Sequence, residues 1–196
     1  MSDVLMAKVV THLRASAEIK LKTAEHCSAD VVAGARLIAE SFGQGGKLLL
    51  CGNGGSAADC QHLAAEFVSR LTQDFDRPAL PALALTTDSS FLTAYANDVN
   101  YEGIFERQVQ ALGKPCDVLI GISTSGNSAN VLAAVKAAHR IGMKTIALTG
   151  SSGQLAKIAD VAISIPSQNT QYIQESHLAA EHLLCALVEI LIYGER

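Results

Sequence analysis

Residues 116–131 read CDVLIGISTSGNSANV. Val118 to Ile122 form an unbroken run of apolar residues and glycine, which suits a strand covered on both faces better than one with a wet side. Four hydroxyl side chains then surround Gly126, and an amphipathic stretch follows over 127–141. Buried strand, short polar loop and helix make one unit of an alternating β/α chain. The unit recurs in both directions. Strand candidates lie at 47–52, 81–87, 116–123, 143–150 and 161–166, with helical patterns near 56–72, 89–96, 101–112, 127–141 and 152–158. The expected class is α/β: a doubly wound three-layer αβα sandwich on a five-stranded parallel sheet, helices reaching both faces through right-handed crossovers. Amphipathic segments over 3–25 and 28–43 precede the first strand, and a long one over 171–192 follows the last. Apolar stripes on terminal helices, added to an already complete sheet, predict packing against another subunit.

With 196 residues, 49% apolar and 17% charged, the chain has the size and composition of one globular domain. We read a helical extension over about 1–44, a sheet core over about 45–166 and a C-terminal helix, with no repeat or linker. RPALP at 77–81 reads as a tight entry to the second strand. A net charge of −4, no tryptophan and no cluster of Lys and Arg speak against a nucleic-acid partner. No apolar run approaches the roughly 20 residues that span a bilayer, and the N-terminus mixes charges with apolar residues unlike a secretory signal, so the expected location is cytoplasmic, with no membrane partner. Cys27, Cys51, Cys60, Cys116 and Cys185 are scattered and odd in number, as expected for reduced, buried thiols.

In an open parallel sheet the ligand lies beyond the carboxyl ends of the strands. The first strand ends in GNGGS (52–56), where Gly54 and Gly55 allow close backbone approach and Ser56 can cap the next helix, leaving amides free for an anion. The third ends in STSGNS, whose Ser123, Thr124, Ser125 and Ser128 can ligate a phosphate at a helix N-terminus without lysine or arginine. Asn97 and Asp98 can meet sugar hydroxyls, although such a pair also serves as an ordinary helix end. GNGGS lacks the lysine of a P-loop and no dinucleotide fingerprint follows the first strand, which argues against nucleotide hydrolysis and dinucleotide binding.

His62 and Glu66 stand one helical turn apart, a spacing that suits two ligands of one metal or a base and its orienting partner. The last helical segment carries Gln174, Glu175, His177, Glu181 and His182 within an apolar pattern. Spacing alone pairs His177 with Gln174 or Glu181 and leaves the choice between His177 and His182 open.

CGNGGSAADCQHLAAE, AND at 96–98, GISTSGNSANV at 121–131, ALTG at 147–150 and IQESH followed by His182 together resemble the sugar-isomerase (SIS) superfamily. Within it they are similar to the phosphoheptose isomerases, over essentially the whole chain. The resemblance implies a flavodoxin-like sheet and isomerisation of sedoheptulose 7-phosphate to D-glycero-D-manno-heptose 7-phosphate, the first step toward the heptose of bacterial lipopolysaccharide. It implies a cytoplasmic homotetramer with active sites at subunit interfaces and one zinc per subunit. It puts the metal ligands on His62, Glu66, Gln174 and His182, and the acid/base pair on Glu66 and His182. Substrate contacts fall on Asn53, Gly54, Gly55, Glu66, Asn97, Asp98, Ser123, Thr124, Ser125, Ser128 and Gln174. Arg70, two turns along the helix from His62, matches a family position. Gln171 and Tyr172 depart from the acid or arginine common there. Two other readings share the fold: a non-catalytic regulator that binds the bacterial replication initiator, and an isomerase or sensor for another sugar phosphate. The presence of both Glu66 and His182 favours the enzyme.

Overall fold

The computed structural model describes residues 2–195. The strands are β1 (Leu48–Gly52), β2 (Ala82–Ala84), β3 (Val118–Ser123), β4 (Lys144–Thr149) and β5 (Val161–Ser164). They form one parallel sheet of order β2-β1-β3-β4-β5. The helices are α1 (Ser2–Gly43), α2 (Gly55–Val68), α3 (Ser89–Asp98), α4 (Ile104–Leu112), α5 (Ala129–Ile141), α6 (Leu155–Ile158) and α7 (Thr170–Tyr193). The doubly wound α/β expectation holds.

Alternate strand residues feed opposite cores. Leu48, Leu50, Val118, Ile120, Ile122, Ile146 and Leu148 pack with α1, α2 and α7 on one face. Leu49, Cys51, Leu119 and Ala147 pack with α4, α5 and α6 on the other. β1 and β3 are neighbours whose chains leave in opposite directions, so a crevice opens beyond Gly52 and Ile122, which are paired in register.

Two expectations are corrected. The two N-terminal segments are one 42-residue helix. The polar residues in its middle do not break it, because Thr23 and Ser28 donate their hydroxyls to the carbonyls four residues back, at 2.8 and 2.5 Å. The second strand is shorter than expected because β2 is an edge with β1 as its sheet neighbour; Thr87 beyond it turns back to donate to the Ala84 carbonyl at 3.2 Å. Helix α7 passes for a membrane span by length and composition alone, with mean hydropathy 1.4, but Glu175, His177, Glu181 and Glu189 interrupt it, and it holds no unbroken apolar run of that length, as expected. Its buried side carries Ile173, Ala180, Leu184 and Val188 into the core beside α1 and α2.

Candidate active site

The first turn of the site is built by glycine. Gly54 adopts φ +57°, which L side chains rarely take, and precedes α2 as its N-cap. The N-cap makes no side-chain cap bond; Ser56, expected in that role, lies buried inside the first turn because the helix starts two residues earlier than a Ser56 cap requires. A Cβ on Gly55 would meet the side-chain amide of Gln174, so glycine is what lets that amide lie directly on the start of α2.

One strand across, Ser128 is the N-cap of α5, yet its hydroxyl does not cap the helix. It meets Ser123 Oγ at 2.9 Å, and Ser123 also lies 3.4 Å from Ser125 Oγ. Neither N-cap residue therefore caps its helix, and both N-termini open on the same crevice, although Asn130 Oδ1 accepts from the Val131 amide of α5 at 3.0 Å. They are tied together by Asn53 and Asn130, whose side-chain amides donate to one another's oxygens at 2.9 Å in both directions. Tyr101 Oη donates to Asn53 Oδ1 at 2.9 Å, bringing the segment after α3 to the same edge. Asn97 and Asp98 are the exposed last residues of α3, and Asn97 donates to the Asp98 carboxylate at 2.8 Å.

The second half of the site lies between α2 and α7. His62 Nε2 and His182 Nε2 are 2.9 Å apart, with ring planes at 74°, and Glu66 Oε1 is 3.9 Å from His62 Nε2. The helices run in the same direction, each entered from the end of a parallel strand, so Gly55 meets Gln174 and His62 meets His182. His177 is excluded from this group. Its ring is fully buried on the core side of α7, with Nε2 3.2 Å from the Thr149 carbonyl oxygen, and burial pulls its pKa down to about 4. Beside it, Glu181 is fully buried and its pKa is pushed up to about 8 by burial, then by the charge of Asp59.

The residues implied as metal ligands divide. His62, Glu66 and His182 are the donor types zinc takes, and His62 Nε2 lies 2.9 Å from His182 Nε2 and 3.9 Å from Glu66 Oε1. Gln174 stays at Gly55, seven residues or about 10 Å along α2 from His62. α7 starts at Thr170, capped by Asn169, so no fraying at Gln174 lengthens its reach. Among the described residues no group of three or more His, Cys, Asp or Glu stands gathered as a metal centre.

Residues 11–150 match the SIS domain family. Phosphoheptose isomerases from Maridesulfovibrio salexigens and a Roseiflexus species are 53% and 51% identical, over 98% and 99% of this chain and 94% and 98% of theirs. The solved phosphoheptose isomerase GmhA from Neisseria gonorrhoeae superposes with a TM-score of 0.88 at 43% identity, over 94% of this chain and 98% of that one. The chain belongs to the phosphoheptose isomerase family.

Arg70, expected on the helix two turns from His62, is instead an exposed residue two positions beyond the end of α2. Sequence reasoning missed Asn130, Tyr101 and Arg77. Asn130 lay within GISTSGNSANV, and the signal available was an amide just after the helix N-cap, near enough to reach the neighbouring strand's loop. Arg77 appeared only as the start of RPALP, and nothing there marked it as an anchor for α2.

Proposed function

We propose that this chain interconverts sedoheptulose 7-phosphate and D-glycero-D-manno-heptose 7-phosphate, acting as one SIS domain over its whole length. What carries the reading is the juxtaposition of two helix N-termini, at α2 and α5, whose N-cap residues leave them open to a ligand, with the facing His62 and His182. Ser123, Thr124, Ser125 and Ser128 take the phosphate together with the α5 amides. Asn53, Asn97, Asp98 and Gln174 meet sugar hydroxyls, and Gly54 and Gly55 allow the chain to approach them.

Glu66 accepts the proton from C1 of the ketose, next to the carbonyl, while His182 protonates the carbonyl oxygen at C2. The resulting enediol takes a proton from Glu66 at C2 and gives its O1 proton to His182. One proton has moved from C1 to C2 and both side chains are restored. His62, Glu66 and His182 would hold zinc, one ion per subunit, with Gln174 outside that group in the single chain; bound there, the metal supplies a Lewis acid for the sugar oxygens. The assembly is a homotetramer in the cytoplasm. Its support is the apolar surface of α1 and α7, where Val9, Leu13, Leu183 and Leu191 are exposed.

A coupled assay on purified protein with sedoheptulose 7-phosphate should show the aldose 7-phosphate forming. No turnover, with metal supplied, would overturn the reading.

A further inference from the structure

Helix α2 ends at Val68, and the last four carbonyls of a helix have no partner within it. Ser69 N donates to Ala65 O at 2.8 Å and Leu80 N to Phe67 O at 3.1 Å. The carbonyl of Glu66 is met by Arg77, whose Nη2 donates to it at 2.8 Å. The same guanidinium donates through Nη1 to Phe67 O at 2.8 Å and Pro78 O at 3.1 Å, and through Nε to Glu189 Oε1 at 2.6 Å. The Arg77 side chain is fully buried. One rigid fork thus grips two successive carbonyls of α2 and a carboxylate of α7, a geometry that a lysine ammonium does not reproduce.

The two helices so joined carry His62 and Glu66 on one side and His182 on the other. We propose that Arg77 is a positioning residue for the isomerisation: it fixes the last turn of α2 through Glu66's own carbonyl, and so places the Glu66 carboxylate relative to His62 and His182. Arg77 touches neither substrate nor reacting atoms. The inference rests on the reading of Glu66 as the proton carrier. Its physical basis is that an unpinned last turn frays, and a displacement of about 1 Å at a catalytic group can lower a rate about 10²-fold without changing what binds.

The test compares wild type, Arg77→Lys, Glu189→Gln and Glu66→Gln for kcat, KM and thermal midpoint with sedoheptulose 7-phosphate. Arg77→Lys should lose about tenfold or more in kcat with KM within about threefold. Glu189→Gln keeps an acceptor for Nε and leaves the α2 contacts in place; it should lower the midpoint, since a buried charge loses its counterion, yet hold kcat within about threefold. Wild-type kcat in Arg77→Lys, or losses of kcat that track the midpoint equally in both variants, would overturn the proposal. Should Arg77→Lys fail to fold, the double variant Arg77→Met/Glu189→Leu gives the same reading, because a buried ion pair exchanged for apolar side chains often folds as well as before. Failure of both to fold would make Arg77 scaffold and would also overturn it. Full activity in Glu66→Gln would sink the reading of Glu66 instead, so the two failures are distinguishable.

Discussion

His182 and His177 are five residues apart on one helix and sit in opposite surroundings, which separates their roles by experiment. His182 is exposed and faces His62 at 2.9 Å, whereas His177 is fully buried with Nδ1 unpartnered. Replacing Glu66 by Gln or His182 by Ala should therefore lower kcat by about 10² or more with little change in thermal midpoint. His177→Ala should do the reverse: a cavity under α7 costs about 2 kcal/mol or more of stability, while kcat of the folded protein stays near wild type. A dead His177→Ala enzyme with an unchanged midpoint would contradict this. At the other end of the substrate, Ser125→Ala and Ser128→Ala each remove a hydroxyl from a loop with no cationic side chain of its own, and each should weaken substrate binding by about 1.5 to 3 kcal/mol, read as a higher KM. These residues were legible because hydroxyls and glycines at strand ends have few structural reasons to gather. The choice of His182 over His177 came from the family resemblance and not from spacing, which ranks neighbours along a helix but does not say which face meets a second helix.

At the scale of elements, α7 is a helix with one polar line toward α2 and another buried beneath it, and the buried line should shape the pH dependence of stability. His177 has its pKa lowered to about 4 by burial, so the stability tied to its neutral form is present above the ordinary value near 6.5 and is lost as pH falls toward 4. Glu181, facing Asp59 and Cys60 of α2, has its pKa raised to about 8, so its contribution is complete below about 4.5 and is lost as pH rises toward 8. Asp59 is also raised by burial, with His62 opposing. Between about 4.5 and 6.5 the two α7 groups oppose one another, and from there to about 8 Glu181 acts without His177. Stability should thus fall by about 2 kcal/mol between pH 6.5 and 8, at ~1.4 kcal/mol per pKa unit, and Glu181→Gln should flatten that decline in denaturant titrations. The parallel, doubly wound sheet was readable, because runs apolar on both faces alternating with helical patterns call for helices on each side. Boundaries set by tertiary contacts were not: α2 stops at Val68 where Arg77 takes over its carbonyls, and the sequence there offered a lone arginine before a proline.

On the scale of the whole molecule, the unsatisfied feature is apolar surface rather than charge. Val4, Leu5, Met6, Val9, Leu13 and Leu21 of α1 and Leu183, Ile190 and Leu191 of α7 are exposed, more than scattered surface residues explain. Between the two helices runs a groove of about 360 Å³ lined by Ala24, Val31, Val32, Ala180, Leu183 and Leu187. The groove lies along α1 and α7, away from the serine loop, so it reads as a seat for a neighbouring helix rather than for substrate. A second copy is the occupant that fits, since helices with the same stripe can bury one another about a symmetry axis. Light scattering at micromolar protein should report a tetramer. Leu183→Glu tests this most directly: Leu183 lines the groove without entering the core of its own chain, so the substitution should leave the isolated fold intact while charging the buried centre of the contact. Burying an unpaired carboxylate costs several kcal/mol, enough to dissociate an assembly held by apolar contacts. The variant should elute as a smaller species with an unaltered circular-dichroism spectrum, and its activity should fall if the crevice is completed by a neighbour. A Leu183→Glu protein that remains tetrameric would remove this groove from the interface, and a fully active wild-type monomer would remove the interface from the reaction.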